Sequence, residues 1–309
     1  MIIDGYAVED ERGIIYYVVG TRQPEEAVYG YPKFIASPDG SRIRNGVTYR
    51  KMASIREAIW YAAMTGLDVV NVGSTRAVLI PRSNITRVYD PVKRLRLIIE
   101  KGGDDVERAA AELAILLARR AEMDISDFGV TGSILVELHT EDSDIDLTFY
   151  GGVRKGVEAA LKVYKAALRL RHEGITKPVS GFSFERMLKD RWSGKSRSMA
   201  SFIEQRKVLQ GLFSGRPYGV KLLKKFPEVR GTGFQVKLKG VIEDSSRSML
   251  FPAEYLVRSG ASLYKVISFR TRFCEQAEAG EEVKVEGLME PDASTIIITY
   301  EFGSIIPVR

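Results

Sequence analysis

The hydrophobic pattern changes character along the chain. Over residues 1–92 the apolar positions come in short β-branched and aromatic runs such as Ile14-Ile15-Tyr16-Tyr17-Val18-Val19, which favour strands. Pro38-Asp39-Gly40 marks a turn, because proline fixes φ and glycine accepts positive φ. One helix is expected in this stretch. Ser54 and Glu57 have capping-box spacing, Ile55 and Ile59 share a face with Ala62 or Ala63, and Gly66 supplies the stop. Residues 68–72 and 77–80 then read as strands, completing a small α+β module.

From residue 93 the period lengthens. Gly102-Gly103 breaks the chain, and Asp104 caps a helix whose positions Val106, Leu113 and Leu116 or Leu117 recur through Arg120. Strands are expected at 128–130 and 145–150. A helix over 157–171 is expected to bury Val157, Leu161, Tyr164 and Leu168 and to turn Lys155, Lys162, Lys165 and Arg169 outward. Residues 184–213 read as helical and basic, and 218–223 as a third strand. Pro227 and Gly231-Thr232-Gly233 mark a boundary. Beyond it, runs at 235–242, 249–257, 264–270, 282–288 and 295–301 predict a small β-barrel or sandwich, an oligonucleotide-binding-type barrel among the options. The expected organisation is α+β: a small α+β module at 1–92, a central domain at 93–230 and an all-β domain at 231–309. There is no internal repeat and no low-complexity tract.

Composition narrows the class. No apolar run approaches the ~20 residues that span a bilayer, and the N-terminus lacks the basic flank and apolar stretch of a signal peptide. One cysteine, Cys274, rules out an internal disulfide, and with two histidines it cannot build a usual structural zinc site. A cytoplasmic protein without membrane partners is expected. Three Asn and five Gln beside abundant Arg lean towards a thermophile. The net charge of +6 hides a sharp asymmetry. Residues 124–150 hold seven acids and no Lys or Arg, whereas residues 151–230 carry net +13. Acids without local counter-ions repel one another or hold a cation. A long basic segment is a solvated face or meets an anionic partner. Side by side they suggest a metal and a polyphosphate.

The chemistry concentrates in Gly132-Ser133 and Ser143-Asp144-Ile145-Asp146-Leu147. Asp144 and Asp146 are i and i+2 on a predicted strand, so both carboxylates leave one face. Two such oxygen ligands suit Mg²⁺ (or Mn²⁺), which keeps waters and phosphate oxygens as its other ligands. Gly132 lets the backbone approach a phosphate, and Ser133 adds a hydroxyl at the start of a short helix expected over 134–138.

Over roughly residues 104–223 these features resemble the DNA polymerase beta-like nucleotidyltransferase superfamily, whose signature is a Gly-Ser turn, about ten residues, then Ser-Asp-x-Asp-Leu entering a strand. The resemblance implies nucleotide binding by Gly132 and Ser133, and metal binding and catalysis at Asp144 and Asp146. It also implies transfer of a nucleoside monophosphate from a nucleoside triphosphate to a hydroxyl acceptor, RNA or tRNA among the candidates. A non-catalytic nucleic-acid-binding protein on the same fold is the alternative.

The chain departs from the family pattern twice. Many members have a second glycine where Glu137 stands, with basic residues where Ile134, Leu135 and Val136 stand. The third carboxylate, usually from a later strand, has no counterpart on 218–223, where Gly219 and Lys221 face away from the core, and Glu243 and Asp244 lie beyond the boundary. Elsewhere, the run Arg186, Lys189, Arg191, Lys195, Arg197, Arg206 and Lys207, with Phe182, Phe184, Trp192 and Phe202 among it, fits a nucleic-acid path, with Lys195, Arg197, Arg206 and Lys207 as its contacts; an amphipathic helix with a solvated face is the alternative. Ser193-Gly194-Lys195-Ser196 lacks the upstream glycine of a phosphate loop. His139 and His172 read as structural, and Cys274 as an inert thiol.

Overall fold

The short N-terminal runs pair into one antiparallel sheet in the computed structural model, which describes residues 1–73, 75–192, 196–230 and 233–308. Its strands are β1 (Ala7–Asp10), β2 (Ile15–Val18), β3 (Ala27–Ala36), β4 (Arg42–Arg44), β5 (Val47–Lys51), β6 (Val69–Val72), β7 (Thr75–Pro81) and β8 (Ile85–Tyr89). β3 is long enough to pair with β2 along one edge and with β7 and β5 in succession along the other. α1 (Ile55–Met64) crosses between β5 and β6. Ser54 Oγ accepts the Glu57 N–H at 3.1 Å, and Glu57 accepts from Ala53 N–H at 2.6 Å, one residue before the reciprocal partner of a capping box. Gly66 takes φ +71 just past the helix end, as expected.

The central layer is built on five strands of the central segment, and a sixth joins it from the C-terminal part of the chain. In chain order its elements are α2 (Pro91–Lys101), α3 (Asp105–Ala121), β9 (Phe128–Val130), α4 (Gly132–Leu135), β10 (Ile145–Phe149), α5 (Gly151–Arg154), α6 (Val157–His172), β11 (Thr176–Lys177), α7 (Gly181–Arg191), α8 (Arg197–Arg206), β12 (Gln210–Phe213) and β13 (Arg216–Leu223). The sheet order is β11-β12-β13-β10-β9, with β10 and β13 parallel and the other pairs antiparallel. Helices α3 and α6 bury Ala110, Leu113, Ala114 and Leu117 with Ala160, Val163, Ala167 and Leu170 in one core with Phe128, Leu147 and Val220. That seam differs from the Leu161 face expected for α6. Alanines on both helices let the backbones approach, and a pattern of large apolar residues does not register them. The 184–213 stretch is also not one helical segment: β12 and β13 form a hairpin whose turn residues, Ser214 and Gly215, both have positive φ.

The C-terminal strands are β14 (Phe234–Arg247), β15 (Leu250–Phe251), β16 (Ala253–Ser259), β17 (Ser262–Ser268), β18 (Glu282–Met289), β19 (Thr295–Ile298) and β20 (Ser304–Pro307). Pairing runs β14-β16-β17-β19-β18 and returns to β14, closing a five-stranded barrel, with β20 outside on β18. The run expected at 249–257 is divided. Leu250 and Phe251 pair in parallel with Leu222 and Leu223 of β13, and only from Ala253 does the chain enter the barrel. The whole is a mixed α/β structure. No described helix is long and apolar enough to cross a membrane.

Candidate functional site

Alternation along β10 makes the site. Ile145, Leu147 and Phe149 turn into the core, so Asp146, with Asp144 just before the strand, faces away from α3 and α6. The loop entering α4 is stitched to the same strand. The Thr131 N–H donates to the Asp146 carbonyl at 2.8 Å, and Gly132 takes φ +66 against the Asp146 side chain. A Cβ at Gly132 would lie 3.1 Å from Asp146 Cβ and Cγ and closer still to Oδ2, so only glycine fits there. Ser133 Oγ lies 3.4 Å from Ser143 Oγ, which accepts the Thr140 N–H at 2.9 Å. The two halves of the motif are thus drawn together. α4 begins at Gly132 and ends at Leu135, earlier than expected. Val136 and Leu138 are instead buried against the N-terminal sheet.

Asp144 and Asp146 open into a cleft of about 790 Å³, in the size range of ligand pockets, to which all three sheets contribute. Tyr17, Tyr31 and the start of α1 come from the first sheet, and Arg270 and Arg272 from the barrel module. Solvent in the cleft reaches Asp146, yet protein surrounds it. Burial, then the charge of Asp144, raises its carboxyl pKa, while Lys51, Lys221 and Arg191 pull the other way. Asp144 Oδ1 accepts from Arg186 Nη2 at 2.7 Å.

Gly219 pairs directly with Asp146 across β10 and β13. A Cβ there would stand 3.7 Å from Asp146 Oδ1, an ordinary contact, so the position has room for an acid and carries none. Two residues on, Lys221 Nζ reaches Asp4 Oδ1 at 2.6 Å. Asp4 is buried, and with Asp146 it adds to the burial that raises the Tyr31 hydroxyl. Sequence reasoning missed Asp4, Tyr17 and Tyr31 as cleft residues. Asp4 and Lys221 are 217 residues apart, and nothing local signals that they meet.

Glu137 takes φ +58, a conformation that favours glycine, and its carboxylate turns away to Arg94 at 3.3 Å and Arg87 at 3.8 Å. His139 Nε2 lies 2.7 Å from Asp104 Oδ2. Asp104, Glu107 and His139 gather their ligand atoms within 4.8 Å, but Asp104 caps α3 and Glu107 pairs with Arg94. His172 is exposed at the end of α6. Cys274 is buried, its thiol pushed up to about 12, mainly by burial.

The predicted nucleic-acid path is corrected at Arg206 and Lys207. Arg197 is exposed but pairs with Glu185 and stacks on Phe184 at 5.5 Å. Arg206 makes two bonds to Glu281, at 2.8 and 2.9 Å. Lys207 is fully buried, donating to Glu204 at 3.1 Å and to the Arg272 carbonyl at 2.7 Å. Arg206 and Lys207 therefore fasten the end of α8 to the barrel module and are not free for RNA. Lys195 and most of the Ser193-Gly194-Lys195-Ser196 run lie outside the described residues.

No family model matches the chain, and no solved structure matches it. It is similar to an uncharacterized protein of Methanocaldococcus jannaschii, 24% identical over 310 aligned positions that span 92% of this chain and 89% of that protein.

Proposed function

We propose that the protein is a metal-dependent nucleotidyltransferase, moving a nucleoside monophosphate from a nucleoside triphosphate to an acceptor hydroxyl. One observation carries this reading: the Gly132 backbone is packed onto Asp146 beside Asp144, on one face of β10, at the floor of an open cleft. Two crowded hard-oxygen donors, one held against burial, fit a divalent cation. Asp144 and Asp146 would hold Mg²⁺ or Mn²⁺, which supplies charge neutralisation at phosphate oxygens. Gly132 and Ser133 would receive phosphate oxygens, and Arg186 stands beside Asp144 as a further cation. Of the other cleft carboxylates, Asp4 is tied to Lys221 and Glu301 to Arg76. That leaves Asp190, on α7, to take the acceptor proton.

The barrel's pairing order, with β17 and β19 parallel, is that of oligonucleotide-binding barrels and keeps RNA among the acceptors. The rival reading, nucleic-acid binding without catalysis, is favoured by Gly219 standing where the third acid is expected. The deciding experiment incubates the protein and Mg²⁺ with each α-labelled triphosphate, total RNA and a small-molecule extract. Label transfer that disappears in Asp144→Asn/Asp146→Asn supports the enzyme. RNA binding with no transfer from any triphosphate supports the rival.

A further inference from the structure

Beyond the acid floor, the same cleft holds a group of cations that the transfer chemistry has not used. Arg191 ends α7, and Arg270 and Arg272 flank the turn after β17; all three line the cleft, with Arg56 at the start of α1. Four other cations of the neighbouring segments are matched by acids: Arg186 by Asp144, Arg206 by Glu281, Lys207 by Glu204 and Lys221 by Asp4. Among the described residues, no carboxylate lies within ion-pair distance of Arg191, Arg270 or Arg272. Their contacts orient them without neutralising them. Arg191 Nη1 donates to Gln210 Oε1 at 2.6 Å, and Arg270 Nη1 to the Gly303 carbonyl at 3.3 Å. Arg270 and Arg272 both stack on the Phe273 ring, at 5.5 and 4.6 Å, which fixes the guanidinium planes. Arg272 Nε is buried with no acceptor.

Crowding of this kind is a cost that an anion would remove. Burial, then Arg270 and Arg191, pushes the Arg272 guanidinium down to about 10. Burial, then Arg56, lowers Arg270. Arg191 in turn acts on Asp146, so the row leads from the acid floor to the barrel wall. Gly132 and Arg186 already stand beside the acids for the triphosphate, and the cleft, at about 790 Å³, is near the upper end for single-ligand pockets. We propose that Arg191, Arg270 and Arg272 form a second anion site, which takes a phosphate group carried by the acceptor. The word acceptor rests on the nucleotidyltransferase reading; the anion site itself does not.

The test uses the full chain and inorganic phosphate as probe, at fixed ionic strength. In EDTA, phosphate should bind by calorimetry and raise the Tm. The binding should persist when a non-hydrolysable triphosphate analogue and Mg²⁺ are present at saturation. Arg270→Gln with Arg272→Gln should weaken phosphate binding about tenfold or more, since each guanidinium loses charge-assisted hydrogen bonds. Arg191→Gln, at an exposed position, gives the same reading should the double variant fail to fold. No phosphate binding in EDTA, wild-type affinity in the folded variants, or mutual competition with the triphosphate overturns the proposal. A 5′-phosphorylated RNA and glycerol phosphate are then each competed against phosphate. Displacement by either supports the site and names its source; displacement by neither overturns it. The first reading fails separately, if Mg²⁺-dependent triphosphate binding survives in Asp144→Asn/Asp146→Asn.

Discussion

Gly132→Ala probes the site at its tightest point. Two costs arise and can be separated. The first is conformational: φ is +66, and a residue with a Cβ pays about 1–2 kcal/mol in the left-handed region. At roughly 2–4 °C per kcal/mol in a large domain, the Tm should fall by about 2–8 °C. The second is steric and local. The new Cβ would lie 3.1 Å from Asp146 Cβ and Cγ and still nearer Oδ2, so the carboxylate must move by several tenths of an ångström. A misplacement approaching 1 Å can cost about a hundredfold in a site that works by positioning. Mg²⁺-dependent triphosphate binding should therefore weaken by about tenfold to a hundredfold. Gly66→Ala is the control, with φ +71 and nothing within 4 Å of its added Cβ. It should share the Tm loss and keep the binding. The assay is thermal melting with and without Mg²⁺ and triphosphate, followed by calorimetric titration. A folded Gly132→Ala protein with wild-type triphosphate affinity would refute the reasoning.

Three further outcomes are expected. Asp146 has a carboxyl pKa raised above its ordinary 3.8, so its charge costs stability. That cost is absent at pH below the unfolded value, grows as pH climbs to the folded value and is complete above it. In EDTA, Asp146→Asn should raise the Tm at pH 7 and not at pH 3, and a pH-independent difference would contradict the assignment. Gly219→Asp should place a carboxylate near Asp146 Oδ1 and speed nucleotide incorporation in Mg²⁺ by about tenfold or more, if that position is the vacant third acid. An unchanged rate in a folded protein counts against it. Lys207→Met strips the buried Glu204 of its cation and should cost about 3–5 kcal/mol in denaturant melts, whereas a loss of RNA affinity with unchanged stability would show that Lys207 is a contact residue after all.

Local chemistry was legible in the sequence; spatial charge was not. Gly132, Ser133, Asp144 and Asp146 can be placed from their spacing because each acts through the backbone within a few residues of its own strand or turn. β10 and β13, read from β-branched alternation, put Gly219 opposite Asp146 as the pattern implied. The net +13 over residues 151–230 overstates the free charge, because part of it is matched across the fold. Arg154 and Lys155 meet Asp127, Arg186 meets Asp144, and Lys224 meets Glu254. The acidic and basic stretches partly answer one another. The cleft group of Arg191 with Arg270 and Arg272, which meets no acid among the described residues, combines segments about 80 residues apart, so the sequence shows Arg191 only as part of a basic run. Alanine seams and the two-residue strand β15 escape for a different reason: both are set by what packs against them, not by their own composition.

The pairing of β15 with β13 also bears on the order of synthesis. The strand facing Asp146 is finished at Leu223, but its partner along Leu222 and Leu223 is the pair Leu250 and Phe251, made later. The Val208 and Leu209 amides wait longer still, for the carboxylate of Glu275 at 2.9 and 3.0 Å. At ribosomal speeds of about 5–20 residues per second, the central sheet spends seconds with an open edge and bare amides. A nascent chain stopped near residue 230 would thus expose that edge. The last 80 or so residues close the edge of the sheet that carries the acids.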